Sequence, residues 1–142
     1  ELDPNWQVPY TWLSNAYFEK GDHEASFEIL EELQKAFRGI EPVTLGFMGY
    51  LYGKVGNREE AKKVLEKLQN REQQTHENAT SFALTYLGLG DVEKAFDWLD
   101  RAAENHQSFL LMLLNHPFLD PLRSHPRYKV LLRKMNLTDT LR

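Results

Sequence analysis

The sequence predicts an all-α fold: three stacked helical hairpins, closed at the C-terminal end by capping helices. Three observations lead there. Gly21, Gly56 and Gly90 recur at spacings of 35 and 34 residues. The same residue types return at the same offsets from each of them. Between them, apolar residues follow helical rather than alternating spacing.

With each glycine as origin, the eighth residue before it is Leu13, Met48 or Phe82, and the seventh is Ser14, Gly49 or Ala83. Four before stand Tyr17, Tyr52 and Tyr86; one after stand Asp22, Asn57 and Asp91. Five after come Ser26, Ala61 and Ala95; nine after, Leu30, Leu65 and Leu99; twelve after, Leu33, Leu68 and Ala102. Leu13, Ser14 and Tyr17 share one face of a first helix, and Ser26, Leu30 and Leu33 one face of a second. The glycine ends the first helix, where a left-handed backbone is needed, and the Asp or Asn after it caps the second. Asn57 with Glu60 approximates a reciprocal capping box. Small residues at Ser14/Gly49/Ala83 and Ser26/Ala61/Ala95 let the paired helices approach, while the tyrosines and leucines fill the space between hairpins. The hairpins occupy residues 7–41, 42–75 and 76–105, and the capping region residues 106–142.

In the capping region, Ser108 to Leu114 reads as a short helix, apolar nearly all round and therefore buried on several sides. Pro117 stops it, and Pro121 and Pro126 mark turns. Tyr128, Leu131, Leu132 and Met135 then form the apolar stripe of a last amphipathic helix, with Arg127, Lys129, Arg133 and Lys134 largely off that stripe.

The repeated registers over residues 7–105 resemble the tetratricopeptide repeat (TPR) family, with the structural signature at Tyr17, Gly21, Tyr52, Gly56, Tyr86 and Gly90. The proline that closes such repeats is missing near Arg38, and the first repeat runs one residue long. The resemblance implies six repeat helices in a right-handed superhelical array followed by two capping helices. Glu1-Leu2-Asp3-Pro4-Asn5 resembles the tail closing a repeat, so residues 1–6 read as the end of a preceding, truncated one, on which Trp6 could pack. The stretch Phe118-x-Asp120-Pro121-Leu122-Arg123-Ser124-x-Pro126-Arg127-Tyr128 is similar to the end of TPR regions in bacterial multidomain signalling and regulatory proteins. There the repeats follow a winged-helix DNA-binding, nucleotide-cyclase or protein-kinase domain.

That resemblance implies a protein–protein interaction scaffold, not an enzyme, whose partner is a protein or peptide. The concave face of such arrays is lined by the first helix of each hairpin. By spacing, the candidate partner-binding groove comprises Trp12, Asn15, Phe18, Phe47, Tyr50, Lys54 and Leu84, and Val8, Thr11, Glu19, Val43, Gly46, Gly53, Glu77, Thr80, Ser81, Leu87 and Gly88 complete the face. A carboxylate clamp of the kind some TPR proteins use needs Lys, Arg and Asn there; only Asn15 matches, and Thr11, Phe47, Glu77 and Ser81 stand at the other sites. The face is instead aromatic, which favours protein contact. Its rings are alternatively covered by an upstream repeat, by the C-terminal cap or by packing within the array. Homodimerisation through this face or the N-terminal end is a further mode of contact.

Composition narrows the remaining classes. The chain of 142 residues is 42% hydrophobic, as a globular domain requires, and its longest apolar run, Phe109 to Leu114, is too short to span a membrane. With no cysteine there is no disulfide, zinc-thiolate site or cysteine nucleophile, which fits a cytoplasmic setting. Net charge is −4, but from Leu119 onward six Lys/Arg face two Asp, a net of +4, leaving −8 on the rest. Acidic repeats with one groove lysine, Lys54, argue against a helical-repeat nucleic-acid module, the main alternative. A non-catalytic homo-oligomerisation module of a cyclase or kinase is the other. His23, His76, His106, His116 and His125 include no pair at helical metal spacing; the last three could converge but read as turn residues. Gly88-Leu89-Gly90 lacks the Lys-Ser/Thr of a phosphate loop, and Glu31-Glu32 and Glu59-Glu60 sit on polar helix faces. No catalytic, cofactor or metal residue is assigned.

Overall fold

The computed structural model describes residues 7–75 and 78–137. Pro4, Trp6, Glu77 and His76 therefore lie outside the described residues. Six helices form three consecutive hairpins: α1 (Gln7–Glu19) with α2 (His23–Ala36), α3 (Pro42–Lys54) with α4 (Arg58–Thr75), and α5 (Ala79–Gly88) with α6 (Val92–Glu104). Then come α7 (Ser108–Leu114), a 3-10 helix (Pro117–Leu122) and α8 (Pro126–Lys134). There is no strand among the described residues.

The three glycines end their helices in one geometry. Gly21, Gly56 and Gly90 have φ of 86°, 80° and 82°. Each donates its N–H to the carbonyl three residues back, at 2.9, 3.1 and 3.0 Å, and the residue after it donates to Tyr17, Tyr52 or Tyr86, each at 2.9 Å. This pair of bonds satisfies the carbonyls left open by a helix end. The next helix starts at once. Asp22 accepts from Ala25 N–H at 3.2 Å, Asn57 from Glu60 at 3.3 Å and Asp91 from Lys94 at 3.1 Å. The reciprocal half of the capping box at Asn57 does not form. Its N–H is already taken by the Tyr52 carbonyl, and the Glu60 carboxylate pairs with Lys63 at 2.7 Å instead.

Although the tyrosines share this backbone role, their rings have different neighbours. Tyr52 stacks on Phe27 of α2, with centroids 5.2 Å apart, and accepts from Gln34 Nε2 at 3.3 Å. One period on, the place of Phe27 is held by the exposed Lys62, and Tyr86 lies instead under Lys94 of its own hairpin, 5.3 Å from the ring centre. Burial raises the Tyr52 hydroxyl pKa.

The small residues do two jobs. In the first hairpin Ser14 Oγ lies 2.9 Å from both the carbonyl and the hydroxyl of Ser26, holding α1 to α2. In the second, Gly49 opens toward α5 rather than chiefly toward its own partner helix. A Cβ at Gly46 would come 2.7 Å from Ser81 Cα, one at Gly49 would run into the Thr85 side chain, and one at Gly53 would strike the Gly88 backbone. The first helices of hairpins two and three are thereby pressed together, and Thr44–Leu51 of α3 is buried on every side.

The C-terminal region departs from expectation in its prolines and in α7. Leu110, Leu113 and Leu114 are buried, but Leu111 and Met112 are exposed, so α7 buries one face. Pro117 and Pro126 begin helices rather than ending them, and Pro121 lies inside the 3-10 helix. A proline fits the first helical turn because its missing N–H would be unpaired there anyway. The residue before Pro117 and before Pro126 is histidine, and its Nδ1 accepts from the N–H of Phe118 or Arg127, both at 3.2 Å. Tyr128, Leu131 and Leu132 are buried as the stripe predicts.

Candidate functional site

Helices α1, α3 and α5 are the ones expected to line the concave face, and the room between them is set by how closely they approach. Between α3 and α5 there is no trough. Ser81 and Gly88 of α5, both expected to face a ligand, meet Gly46, Gly53 and the Tyr50 backbone instead.

The candidate groove residues separate into two groups. Asn15, Phe47, Tyr50 and Leu84 are buried, while Trp12 and Phe18 are half-buried and Lys54 is exposed. The cover over Phe47 and Tyr50 is the chain's own C-terminal segment. The Phe118 ring stacks on Tyr50, with centroids 3.7 Å apart and planes 15° from parallel, and lies 5.8 Å from Phe47. His116 lies 5.5 Å from Trp12 and 5.7 Å from Phe47, and Phe109 meets Phe47 edge-on at 6.2 Å. The sequence left open whether the aromatic face is covered; Phe47 and Tyr50 here carry the 3-10 segment. The available signal was the run Phe109, Leu110, Leu113, Leu114 and Phe118, more apolar surface than a terminal cap over α6 alone can bury.

Burial has electrostatic consequences along this seam. The Tyr50 hydroxyl is pushed up to about 12 by desolvation and by the charge of Glu19. Desolvation lowers the His116 pKa, with Asp120 opposing it. Asn15 is 3% exposed, and neither its amide nitrogen nor its oxygen has a hydrogen-bond partner among the described residues.

One part of the concave surface stays accessible. An open cleft of about 1050 Å³ lies where the N-terminal ends of α3, α5 and α7 come together near the start of α1. Val8, Pro42, Val43, Phe109 and Met112 give it apolar surface; Thr80, Ser81, His106 and Gln107 add polar groups, and Glu41 and Arg71 charged ones. Val8 stands one turn before the half-buried Trp12 on α1. The loop beside it is fixed by Gln7, which donates to the Gly39 carbonyl and accepts from Glu41 N–H, both at 2.9 Å. Sequence reasoning missed Gln7 because a polar residue at a helix start carries no periodic signal.

Part of the basic tail is engaged within the fold. Arg127 reaches Glu93 at 3.0 Å and Asp97 and Asp100 at 2.9 Å, and Lys134 reaches Asp100 at 3.5 Å and Glu104 at 3.8 Å. His125 Nε2 lies 3.3 Å from Glu93. Partial desolvation opposes the Arg127 charge, but hydrogen bonds to Asp100, Asp97 and Glu93 outweigh it and raise its pKa. His106, His116 and His125 do not converge: no metal-holding group of side chains occurs among the described residues. Nor is any helix among the described residues long and apolar enough to cross a membrane.

Successive antiparallel helix pairs with one shared register define an all-α helical repeat of the tetratricopeptide type. The family model of the tetratricopeptide repeat matches residues 9–38 and 44–75, the first two hairpins, which supports placing the chain in that family. Among curated proteins and solved structures nothing matches the chain. TPR repeats generally mediate protein–protein interaction, and domains built from them are typically non-catalytic scaffolds.

Proposed function

We propose that the chain is a protein-binding scaffold whose ligand surface is the cleft at the N-terminal ends of the first helices, with Trp12 at its edge. The observation that carries this reading is the cleft itself. It is the accessible remainder of the concave face, with apolar walls able to seat a side chain and polar groups able to meet a peptide backbone. Phe18 and Lys54 extend the accessible face along α1 and α3. Phe47 and Tyr50 support the C-terminal segment and contribute to binding through it, while Asn15 and Leu84 are buried within the array.

The wider setting stays within this reading. Similarity of the Phe118–Tyr128 stretch to the ends of bacterial TPR regions favours a scaffold that positions an effector domain in a cytoplasmic signalling or transcription-regulatory protein. Nucleic acid is the poorer partner, since Arg127 and Lys134 are spent on α6 carboxylates. The test is selection of peptides from a displayed random library, followed by titration against Met112→Glu and Val43→Glu. Both substitutions should weaken selected peptides at least tenfold at unchanged helical content. Equal affinity for the wild type and both variants would place the ligand surface elsewhere.

A further inference from the structure

The shared register lets the second helices of hairpins two and three be compared residue by residue. On α4, Lys67, Asn70 and Arg71 stand eleven, fourteen and fifteen residues after Gly56. Asn70 and Arg71 follow Lys67 by three and four, so all three share one face of the helix. At the same offsets from Gly90 stand Arg101, Glu104 and Asn105 of α6 and its cap. The first set carries Lys67 and Arg71, a net of +2; the second carries Arg101 and Glu104, a net of zero. The repeat fold therefore does not require a basic face at this register.

That face borders an open pocket of about 400 Å³ between α4, the end of α2 and the loop that follows it. Arg38 of the loop adds a third cation, and Gln34 and Asn70 add amides. Phe37, Ile40 and the buried Leu45 give it an apolar wall, and no carboxylate lines it among the described residues. A Cβ at Gly39 would come 3.6 Å from an Arg71 guanidinium nitrogen, which places that side chain beside the loop. Arg71 holds other contacts as well, but Arg38 and Lys67 are exposed and pair with no carboxylate among the described residues. Lys63, Arg123, Arg127 and Lys134, by contrast, each have an acidic partner. The end of α2 contributes only about half a negative charge, too little to balance the two cations.

A phosphate monoester carries about two negative charges near neutral pH, and a planar guanidinium suits its oxygens. The pocket has room for more than a phosphate, and its apolar wall can take the group that carries it. We propose that this pocket binds a phosphate monoester on an apolar stem, supplied by a phosphorylated tyrosine of a protein partner. Arg71 also borders the cleft beside α7, so a partner seated there lies next to the phosphate site. Only the protein source of the phosphate rests on the scaffold reading; the charge of the pocket does not.

The test titrates the chain with a short phosphotyrosine peptide, its unphosphorylated form and inorganic phosphate at equal ionic strength. The phosphopeptide should bind at least tenfold more tightly than either, with the largest amide shifts at Gly39 and Ile40. Arg38→Gln and Lys67→Gln should each weaken it at least threefold at unchanged helical content, since both side chains are exposed. Added NaCl should weaken it too. Met112→Glu, which alters the cleft, should leave it unchanged, so failure of the cleft and failure of this site are read separately. Equal affinity for the two peptides, or wild-type affinity in the double variant of Arg38 and Lys67, would overturn the proposal. Inorganic phosphate bound as tightly as the phosphopeptide would overturn the protein source. A single-stranded oligonucleotide bound more tightly than the phosphopeptide would overturn it in favour of nucleic acid.

Discussion

A Cβ added at Gly53 would strike the Gly88 backbone, and one at Gly88 would strike the backbone of Tyr50. Ordinarily alanine in place of a helical glycine is favourable by about 1 kcal/mol. Here the obstacle is main chain, which no rotamer change relieves, so the sign should reverse. Gly53→Ala and Gly88→Ala should each destabilise by roughly 1–3 kcal/mol, read as a lower urea midpoint. His106 is the opposite case. It ends α6 with φ 51°, bonded as the three glycines are: its own N–H meets the Ala103 carbonyl at 3.1 Å and the Gln107 N–H meets that of Ala102 at 3.0 Å. A side chain in that conformation costs about 1 kcal/mol or more, so His106→Gly should stabilise by about 1 kcal/mol in the same titration. Gly21, Gly56 and Gly90 were legible in the sequence because a turn glycine acts locally and its spacing repeats. Gly53 and Gly88 were not, because inside a helix a glycine looks like a propensity defect until the facing helix is known.

At the scale of the element, the 3-10 segment is a strap across α3, with Phe118 stacked on Tyr50 and the capping His116 against Trp12 and Phe47. Its helical start depends on a neutral imidazole: His116 Nδ1 accepts the Phe118 N–H, and the ring is packed against Trp12, Phe47 and Phe118. Protonation would remove the acceptor and place a charge among those rings. Burial lowers the folded-state pKa below the value of about 6.5 expected of the unfolded chain. The contribution to stability is therefore complete above that unfolded value and is lost as pH falls through the folded one. Melts between pH 8 and pH 5 should show a falling Tm in the wild type and a smaller fall in His116→Asn, which keeps a capping acceptor but does not titrate. Equal slopes would remove His116 from this role. The location of this strap was harder to read than the hairpins. Prolines that begin helices are indistinguishable in sequence from prolines that end them, and the apolar run from Phe109 to Phe118 shows that something is buried without showing where.

For the whole molecule, the charge asymmetry in the sequence is resolved as an internal contact. The repeats are acidic and the tail basic, and two of the tail's cations, Arg127 and Lys134, meet carboxylates of α6. Arg127 lies across Glu93, Asp97 and Asp100 with its guanidinium 5.3 Å from the Phe96 ring centre, and Lys134 continues the row. The carboxylates of Glu93 and Asp97 are largely exposed, so solvent screens much of the attraction and each pair separately is worth little. Three acceptors sharing one planar donor lose less side-chain freedom per bond than isolated pairs do, and the apolar stripe of Tyr128, Leu131 and Leu132 already holds α8 in place. Arg127→Gln should thus cost only about 1 kcal/mol. Its diagnostic is the salt dependence: raising NaCl from about 0.05 to about 0.5 M should lower wild-type stability and leave the variant nearly flat. Hydrogen exchange should locate the effect, with α8 amides losing protection in the variant while those of α3 keep theirs, because α3 is buried by packing on all sides and owes nothing to the cap's charges. Loss of protection spread evenly through α3 and α8 would show instead that the hairpins and the cap unfold as one unit.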